Sequence, residues 1–498
     1  MPVLVPSAWS HALQLLLAFG LGGATVLAFA PFHLGWLALI TLALLLHLLW
    51  RTPGAGRAAA LGYAFGLGLM GFGVFWLRIS IAQFGGVTPV LAVAFTLLFV
   101  LLMALYFALL AWLVRRIGEG QGEVAFMLLT APAAWLLVEW LRGWLFTGFP
   151  WLSLGYSQID LPLAGYVPLF GVFGSGALLV LSAGLLNLWR RAWPLLLLPG
   201  LWIGGWYLQT LQWSEPVGEP LRVSLVQGNI PQEDKWKRSL RGPSIELYRL
   251  LSQQGRDAQL LIWPETAIPA FDSDVEQSVL QPLHVQMVAE GRDLLTGIVV
   301  GERDGRYYNA MISLGVSGRD QYLKRRLVPF GEYLPLKPLL GPLLDFLHIP
   351  MSDFSVGGDG KPLISLAGHP AGIDICYEDA FAAEVLRALP EARFLVNASN
   401  DAWFGDSLAP HQHLQIARMR SLESGRYLLR ATNTGISAVI DPAGRIIAQA
   451  PQFEQAVLNE RIQPMQGLTP YARWGDTPLL VIAALLLLGG AMLGRGRA

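Results

Sequence analysis

The chain has 498 residues, 54% of them hydrophobic and 14% charged, with 35 basic and 35 acidic groups and a mean hydropathy of +0.47. That balance is too apolar for an ordinary soluble globule and points to a membrane protein, while a net charge of zero without a basic stripe gives nucleic-acid binding no support. The single cysteine, Cys376, excludes an internal disulfide framework.

Charge is unevenly spread. Residues 1–213 carry twelve charged groups (eight Arg, four Asp or Glu, no Lys), residues 214–473 carry fifty-five, and the tail carries three. A segment of about 20 residues crosses the ~30 Å hydrocarbon core. Seven apolar segments of that order precede residue 214, near 10–31, 35–50, 58–77, 88–114, 124–141, 166–189 and 194–212, and an eighth lies near 477–494. The second is short, and Gly62, Gly66, Gly68, Gly71 and Gly73 blur the ends of the third. Gly62-x-x-x-Gly66 reads as close helix packing within one bundle rather than as a dimer face.

Arginines test the count. Arg51, Arg57, Arg115, Arg116, Arg190, Arg191, Arg495 and Arg497 follow the even-numbered segments, against only Arg78 and Arg142 on the other side. Positive-inside bias then predicts a cytoplasmic N-terminus and, after seven crossings, a soluble domain outside the cytoplasm, which is the periplasm in a Gram-negative bacterium. The expected organisation is a seven-helix transmembrane region over 1–213, a soluble domain over 214–473 and a C-terminal transmembrane helix over 474–498. Ala28-Phe29-Ala30 resembles a cleavage site, but the first segment lacks a basic n-region and is read as retained.

Aromatic residues crowd one outer connection: Trp135, Trp140, Trp144, Phe149, Trp151 and Tyr156, with Glu139 and Arg142 spaced to pair at i, i+3. An interfacial aromatic belt accounts for them, and an entry for lipid chains is the sharper reading.

Within 214–473, short apolar strands alternate with helices. Strands are predicted over 221–226, 260–263, 294–300, 308–314, 371–375, 393–396, 436–440 and 446–448, the last two joined by an Asp441-Pro442-Ala443-Gly444 hairpin turn. Helices are predicted near 243–255, 274–290, 379–388 and 411–424. Such a pattern is a layered α/β domain.

Three segments share one design, an apolar strand that ends in a polar group. Leu261-Ile262-Trp263-Pro264-Glu265 presents a carboxylate where Pro264 stops the ladder. Tyr322-Leu323-Lys324-Arg325-Arg326 presents an ammonium, and Gly372-Ile373-Asp374-Ile375-Cys376-Tyr377-Glu378-Asp379 puts a thiol at a strand-to-helix elbow. A free cysteine is most often a core residue. A nucleophilic one needs a base to take its proton and donors to hold an oxyanion, and Glu265 and Lys324 supply these. His411 and His413 follow a Pro-led helix start and are read as structural. No cluster has metal-ligand spacing, and Asn397-Ala398-Ser399 matches a glycosylation sequon by chance.

The WPE, LKRRLVPFGE and ICYED segments resemble the Glu-Lys-Cys signature of the carbon-nitrogen hydrolase (nitrilase) superfamily. With Val226-Gln227-Gly228-Asn229-Ile230-Pro231, Asn400-Asp401-Ala402-Trp403-Phe404-Gly405, Ala417-Arg418-Met419-Arg420 and the flanking membrane segments, the whole chain is similar to its membrane-embedded branch, the apolipoprotein N-acyltransferase family. The resemblance implies eight transmembrane helices plus an extracytoplasmic αββα sandwich in a bacterial inner membrane. It implies that Cys376 attacks a phospholipid ester, that Glu265 is the general base, and that Lys324 and the Tyr377 backbone N–H hold the oxyanion. Glu332 is expected to orient Lys324 or Glu265, and Trp236, Tyr377 and Glu378 to support the site or gate it. The donor implied is a phospholipid such as phosphatidylethanolamine and the acceptor a diacylated apolipoprotein, with no cofactor and no metal. A membrane-tethered amidase is the alternative, and a transporter with an accessory domain a more distant one, since few ionisable residues lie mid-span. Loops around Trp236 and over 330–350 are expected to control substrate entry.

Overall fold

The computed structural model describes residues 11–333 and 353–495. Two compact units emerge. One comprises the residues up to Arg78, Pro89–Leu211 and the residues from Trp474 on; the other comprises Ile79–Thr88 and Gln212–Arg473.

The first unit is helical. Five stretches among the described residues are long and apolar enough to span a bilayer: His11–Ala28, Pro89–Ile117, Glu123–Arg142, Pro162–Asn187 and Thr477–Gly494. A sixth exists if Ala55–Gly73 and Leu77–Gln83, bent by 55°, count as one span, and Gly35–Arg51 and Leu196–Leu208 are apolar but shorter. The segment expected near 58–77 therefore falls on the helix Ala55–Gly73 and the bend that follows it. Its glycines serve packing: a Cβ on Gly62 would stand 2.1 Å from the Phe107 carbonyl oxygen and one on Gly66 2.9 Å from Ala104 Cα, so this helix lies backbone-close against Pro89–Ile117.

The aromatic connection divides into two parts. Trp135 and Trp151 are fully buried, whereas Trp144 and Phe146 are exposed. Arg142 is buried and donates to the Phe149 and Trp151 carbonyls, both at 2.6 Å, and to Ser153 Oγ at 3.2 Å, while Glu139 accepts from the Leu154 N–H at 2.9 Å. The pair staples the 143–154 loop more than it bonds to itself, since its own separation is 3.9 Å.

The second unit is built on two six-stranded sheets. The first takes β1 (Leu221–Gln227), β2 (Leu260–Ile262), β3 (Asp293–Gly301), β4 (Tyr307–Gly315) and β5 (Gln321–Leu323). The second takes β6 (Leu363–Leu366), β7 (His369–Ile375), β8 (Phe394–Ser399), β9 (Leu428–Thr432), β10 (Ala438–Ile440) and β11 (Ile446–Gln449), and β12 (Ala456–Ile462) returns to the first. The orders are β12-β1-β2-β3-β4-β5 and β11-β10-β9-β8-β7-β6. In each, three central strands are parallel (β1-β2-β3 and β7-β8-β9) and the outer pairings are antiparallel.

One apolar core joins Val223, Ile262 and Leu295 of the first sheet to Ile373, Val396 and Leu429 of the second, so the sheets pack face to face. The outer face of the first is covered by Arg241–Ser252 and Gln281–Ala289 through Ile245, Tyr248, Leu283 and Met287. The outer face of the second is covered by Ala382–Leu386 and Ala409–Ser424 through Val385, Leu414 and Ala417. Four layers result, αββα, as the sequence resemblance implies. The turn expected at 441–444 joins β10 to β11, with Gly444 at φ +75° and its N–H on the Asp441 carbonyl. Strands β6, β9 and β12 are absent from the sequence reading.

Candidate active site

Parallel strands deliver reactive groups at their carboxyl ends. Beyond β2 the chain turns at Pro264, and Trp263 N–H and Ile268 N–H bond to the Leu295 and Gly297 carbonyls of β3. Gly297 is required there, because a Cβ on it would lie 2.2 Å from Thr266 N. Glu265 is thus held against β3, 6% exposed. Lys324 follows β5, and its N–H donates to the Asn309 carbonyl of β4 at 2.8 Å. Cys376 follows β7 at φ +54°, a left-handed conformation that a β-carbon disfavours.

These ends converge. Lys324 Nζ, 1% exposed, stands 2.9 Å from Glu332 Oε1 and 3.4 Å from Glu265 Oε1. Asn309 Nδ2 donates to the same two oxygens, at 2.7 Å to Glu265 and 3.0 Å to Glu332. Glu332 Oε2 accepts from the Val328 N–H at 2.8 Å. Glu265 Oε2 is buried and meets no hydrogen-bond partner among the described residues, which leaves one carboxylate oxygen free for a proton. Glu265 and Lys324 are also the charges that act most strongly on Cys376, so all three occupy one site.

Burial pushes the Cys376 thiol up, the Glu265 carboxylate adds to the rise, and Lys324 only partly opposes it. The resting sulfur is therefore a thiol. An ammonium beside it does not by itself make a thiolate, because desolvation of a small anion outweighs one cation shared by two carboxylates. Burial pulls the Lys324 ammonium down, but Glu332 and Glu265 outweigh burial and leave it above the ordinary lysine range.

Glu378 has a different place from Glu265, Lys324 and Cys376. Oε1 accepts from Tyr322 Oη and the Arg325 and Arg326 N–H groups at 2.9, 2.8 and 3.0 Å, and Oε2 accepts from the Ile375 N–H at 2.8 Å. It fastens the exit of β5 to the cysteine elbow, although burial pushes its carboxyl up. Tyr377 packs edge-on against Phe381 at 5.1 Å. Trp236 is 42% exposed at the end of the short helix Gln232–Lys235. Of the entry loops expected over 330–350, residues 334–350 lie outside the described residues.

Several members of the site escaped the sequence reading. Asn309 is one, and an Asn within an apolar strand is a signal that could have found it. Lys235 is another: 3% exposed, it donates to the Glu265 carbonyl at 3.0 Å. Behind the elbow, Asn397 Nδ2 and His413 Nε2 contact the Cys376 carbonyl at 3.1 and 3.3 Å. His413 bridges Asp379 and Asp401, both at 2.9 Å, and Arg430 binds the same two carboxylates at 3.2 and 2.9 Å. Burial and Arg430 pull the imidazole down, yet Asp379 and Asp401 overcome both and carry it up to about 9. His413 is thus a buried cation that supports the elbow backbone, not a base at the sulfur. No group of His, Cys, Asp and Glu among the described residues is arranged to hold a metal ion.

Known proteins match along the whole length. The family profile "Apolipoprotein N-acyltransferase N-terminal domain" covers residues 21–185, and "Carbon-nitrogen hydrolase" covers 222–470. An apolipoprotein N-acyltransferase of Methylococcus capsulatus is 48% identical over 478 residues, 94% of each chain. That of Nitrosomonas europaea is 46% identical over 495 residues, covering 96% of this chain and 97% of the relative. That of Pseudomonas putida is 42% identical over 494 residues, again 96% and 97%. A carbon-nitrogen hydrolase sandwich carried with this helical unit, and identity of this degree from end to end, mean that the chain belongs to the apolipoprotein N-acyltransferase family.

Proposed function

We propose that the protein transfers an acyl chain from a membrane phospholipid to the N-terminal α-amino group of a diacylglyceryl-cysteine apolipoprotein, through a thioester on Cys376. The observation that carries the reading is the meeting of Glu265, Lys324 and Cys376 in one buried site, with Glu265 Oε2 unpartnered, in a chain of this family.

Glu265 Oε2 takes the Cys376 proton as the sulfur attacks the ester carbonyl carbon. Lys324 Nζ and the Tyr377 N–H hold the oxyanion. Collapse breaks the carbon–oxygen bond, the alkoxide of the lysolipid receives the proton from Glu265, and the acyl group remains on sulfur. The incoming amine then attacks the thioester, Glu265 takes its proton, and collapse returns the thiolate, which recovers a proton as product leaves. Glu332 holds Lys324, Glu378 holds the elbow, and Tyr377 and Trp236 contact substrate. Phosphatidylethanolamine is the donor expected.

Both substrates are anchored in one leaflet, which fits a membrane region over 1–213 and 474–498 with eight crossings and a catalytic domain over 214–473 on the periplasmic side of the inner membrane. The arginine distribution supports this orientation. Incubation with phospholipid tests the chemistry: a hydroxylamine-labile acyl mass on Cys376 is expected, and its absence, with turnover of a small amide instead, would favour an amidase.

A further inference from the structure

Counting charge in the site exposes an imbalance. Glu265 is buried and Glu332 half-buried, and both carboxylates lean on the one Lys324 ammonium. One cation against two anions leaves a net negative site, and passing the Cys376 proton to Glu265 moves that negative charge onto the sulfur without removing it. Uncompensated buried charge is costly, so a second cation is called for.

Lys235 stands beside the site. The last residue of the helix Gln232–Lys235, it is buried although Glu233 and Lys237 beside it are exposed and Asp234 is half-buried. Its Nζ donates to the Glu265 main-chain carbonyl at 3.0 Å, the one hydrogen bond it makes among the described residues, so two of its three N–H donors are unused. Glu265 and Cys376 are the charged groups that act on it.

We infer that Lys235 is the second cation of the acyl-transfer site, a positioning residue that pins the main chain of Glu265 and holds the Glu265–Cys376 pair in its anionic state. The inference deepens the acyl-transfer reading and rests on it for the identity of the reaction, but its physical content concerns the Cys376–Glu265 pair alone. The charged groups facing that pair are Lys324 beyond β5, Glu332 from the following turn and Lys235 from the short helix, with Asp379 and Asp401 behind the elbow matched by Arg430 and His413. Burial brings the Lys235 ammonium down to about 8 against the pull of Glu265 and Cys376, so it remains charged at neutral pH. With Lys235 present the balance is two cations to two anions, and the proton that Cys376 surrenders moves within a neutral site.

Three substitutions separate charge from contact. Lys235→Arg keeps both, Lys235→Gln keeps a donor for the Glu265 carbonyl without charge, and Lys235→Met removes both. The readout is the pH profile of Cys376 alkylation by iodoacetamide in the detergent-solubilised full chain, with thermal unfolding to verify folding. Removing a cation raises the pKa of neighbouring acids. Below about pH 8, where Lys235 carries its charge, alkylation is therefore expected to be about tenfold slower in the Gln and Met variants and unchanged in the Arg variant. A Gln profile that coincides with wild type, or an Arg profile displaced as far as the Gln one, overturns the inference. Should the Met variant fail to fold, the Arg and Gln pair decides. A wild-type protein that acquires no acyl mass from phospholipid would remove the acyl-transfer reading, whereas the alkylation profiles bear on Lys235 only.

Discussion

The Tyr322 hydroxyl reaches both carboxylate oxygens of Glu378, at 2.9 and 3.0 Å, and so ties the strand that carries Lys324 to the elbow that carries Cys376. Three backbone N–H groups end on the same carboxylate, from Arg325, Arg326 and Ile375. Glu378→Ala would strand four donors, three of them buried. A loss of about 2–5 kcal/mol in unfolding free energy is expected, with acyl transfer falling because Lys324 drifts from the sulfur. Denaturant titration beside a thioester assay checks this. A stable but inactive variant would instead place Glu378 in the chemistry.

Lys324→Met should lower the rate of thioester formation by about 10²–10³, the usual cost of one oxyanion donor, and leave Glu265 and Glu332 without their shared ammonium. Single-turnover acylation followed by mass spectrometry measures it. Thermal stability unchanged together with full acylation would contradict the role.

Asn309→Leu removes the amide that anchors Oε1 of Glu265 and of Glu332. Free to rotate, the Glu265 carboxylate loses its fixed position beside Lys324, and acylation is expected to slow by about tenfold or more. Asn309→Asp should be worse, since it adds a third carboxylate. Equal rates for the two variants would argue against the charge part of this account.

The His413 imidazole, carried from 6.5 up to about 9, links stability to pH. The folded protein binds this proton more tightly than the unfolded chain, so the stabilisation is fully present below about pH 6.5 and is lost as pH rises through about 9. The thermal midpoint of the wild type should therefore fall relative to that of His413→Gln between those limits. Parallel curves across that range would refute the buried ion pairs as its source.

Orientation has a direct test. Alkaline phosphatase joined within 214–473 should be active, and the same reporter joined after Arg116 or Arg191 inactive, because those arginines follow even-numbered crossings. The reverse pattern would put the domain in the cytosol.

Glu265, Lys324 and Cys376 were legible because each interrupts an apolar strand with a polar residue at its end, where Pro264 or an elbow halts pairing. Strand β9 was not, since Arg430 at its centre breaks the apolar run, and the carboxylates of Asp379 and Asp401 with the Asn397 amide oxygen make that position tolerable. Edge strand β12 is masked by Asn459, Glu460 and Arg461, which an edge accepts on its open side. Lys235 sits among charged neighbours, and no pattern in the chain distinguishes it from them; its burial depends on Glu265, thirty residues away. The bend in Ala55–Gly73 plus Leu77–Gln83 was equally hidden, because hydropathy records length and not direction.

The left-handed backbone at Cys376 sets the protein's usefulness against its robustness. Glycine would sit there with about 1 kcal/mol less strain, so a screen that rewards thermal endurance alone would discard the sulfur and keep an inert scaffold. Any effort to harden this protein for handling in detergent must therefore hold residue 376 fixed and look for its gains elsewhere.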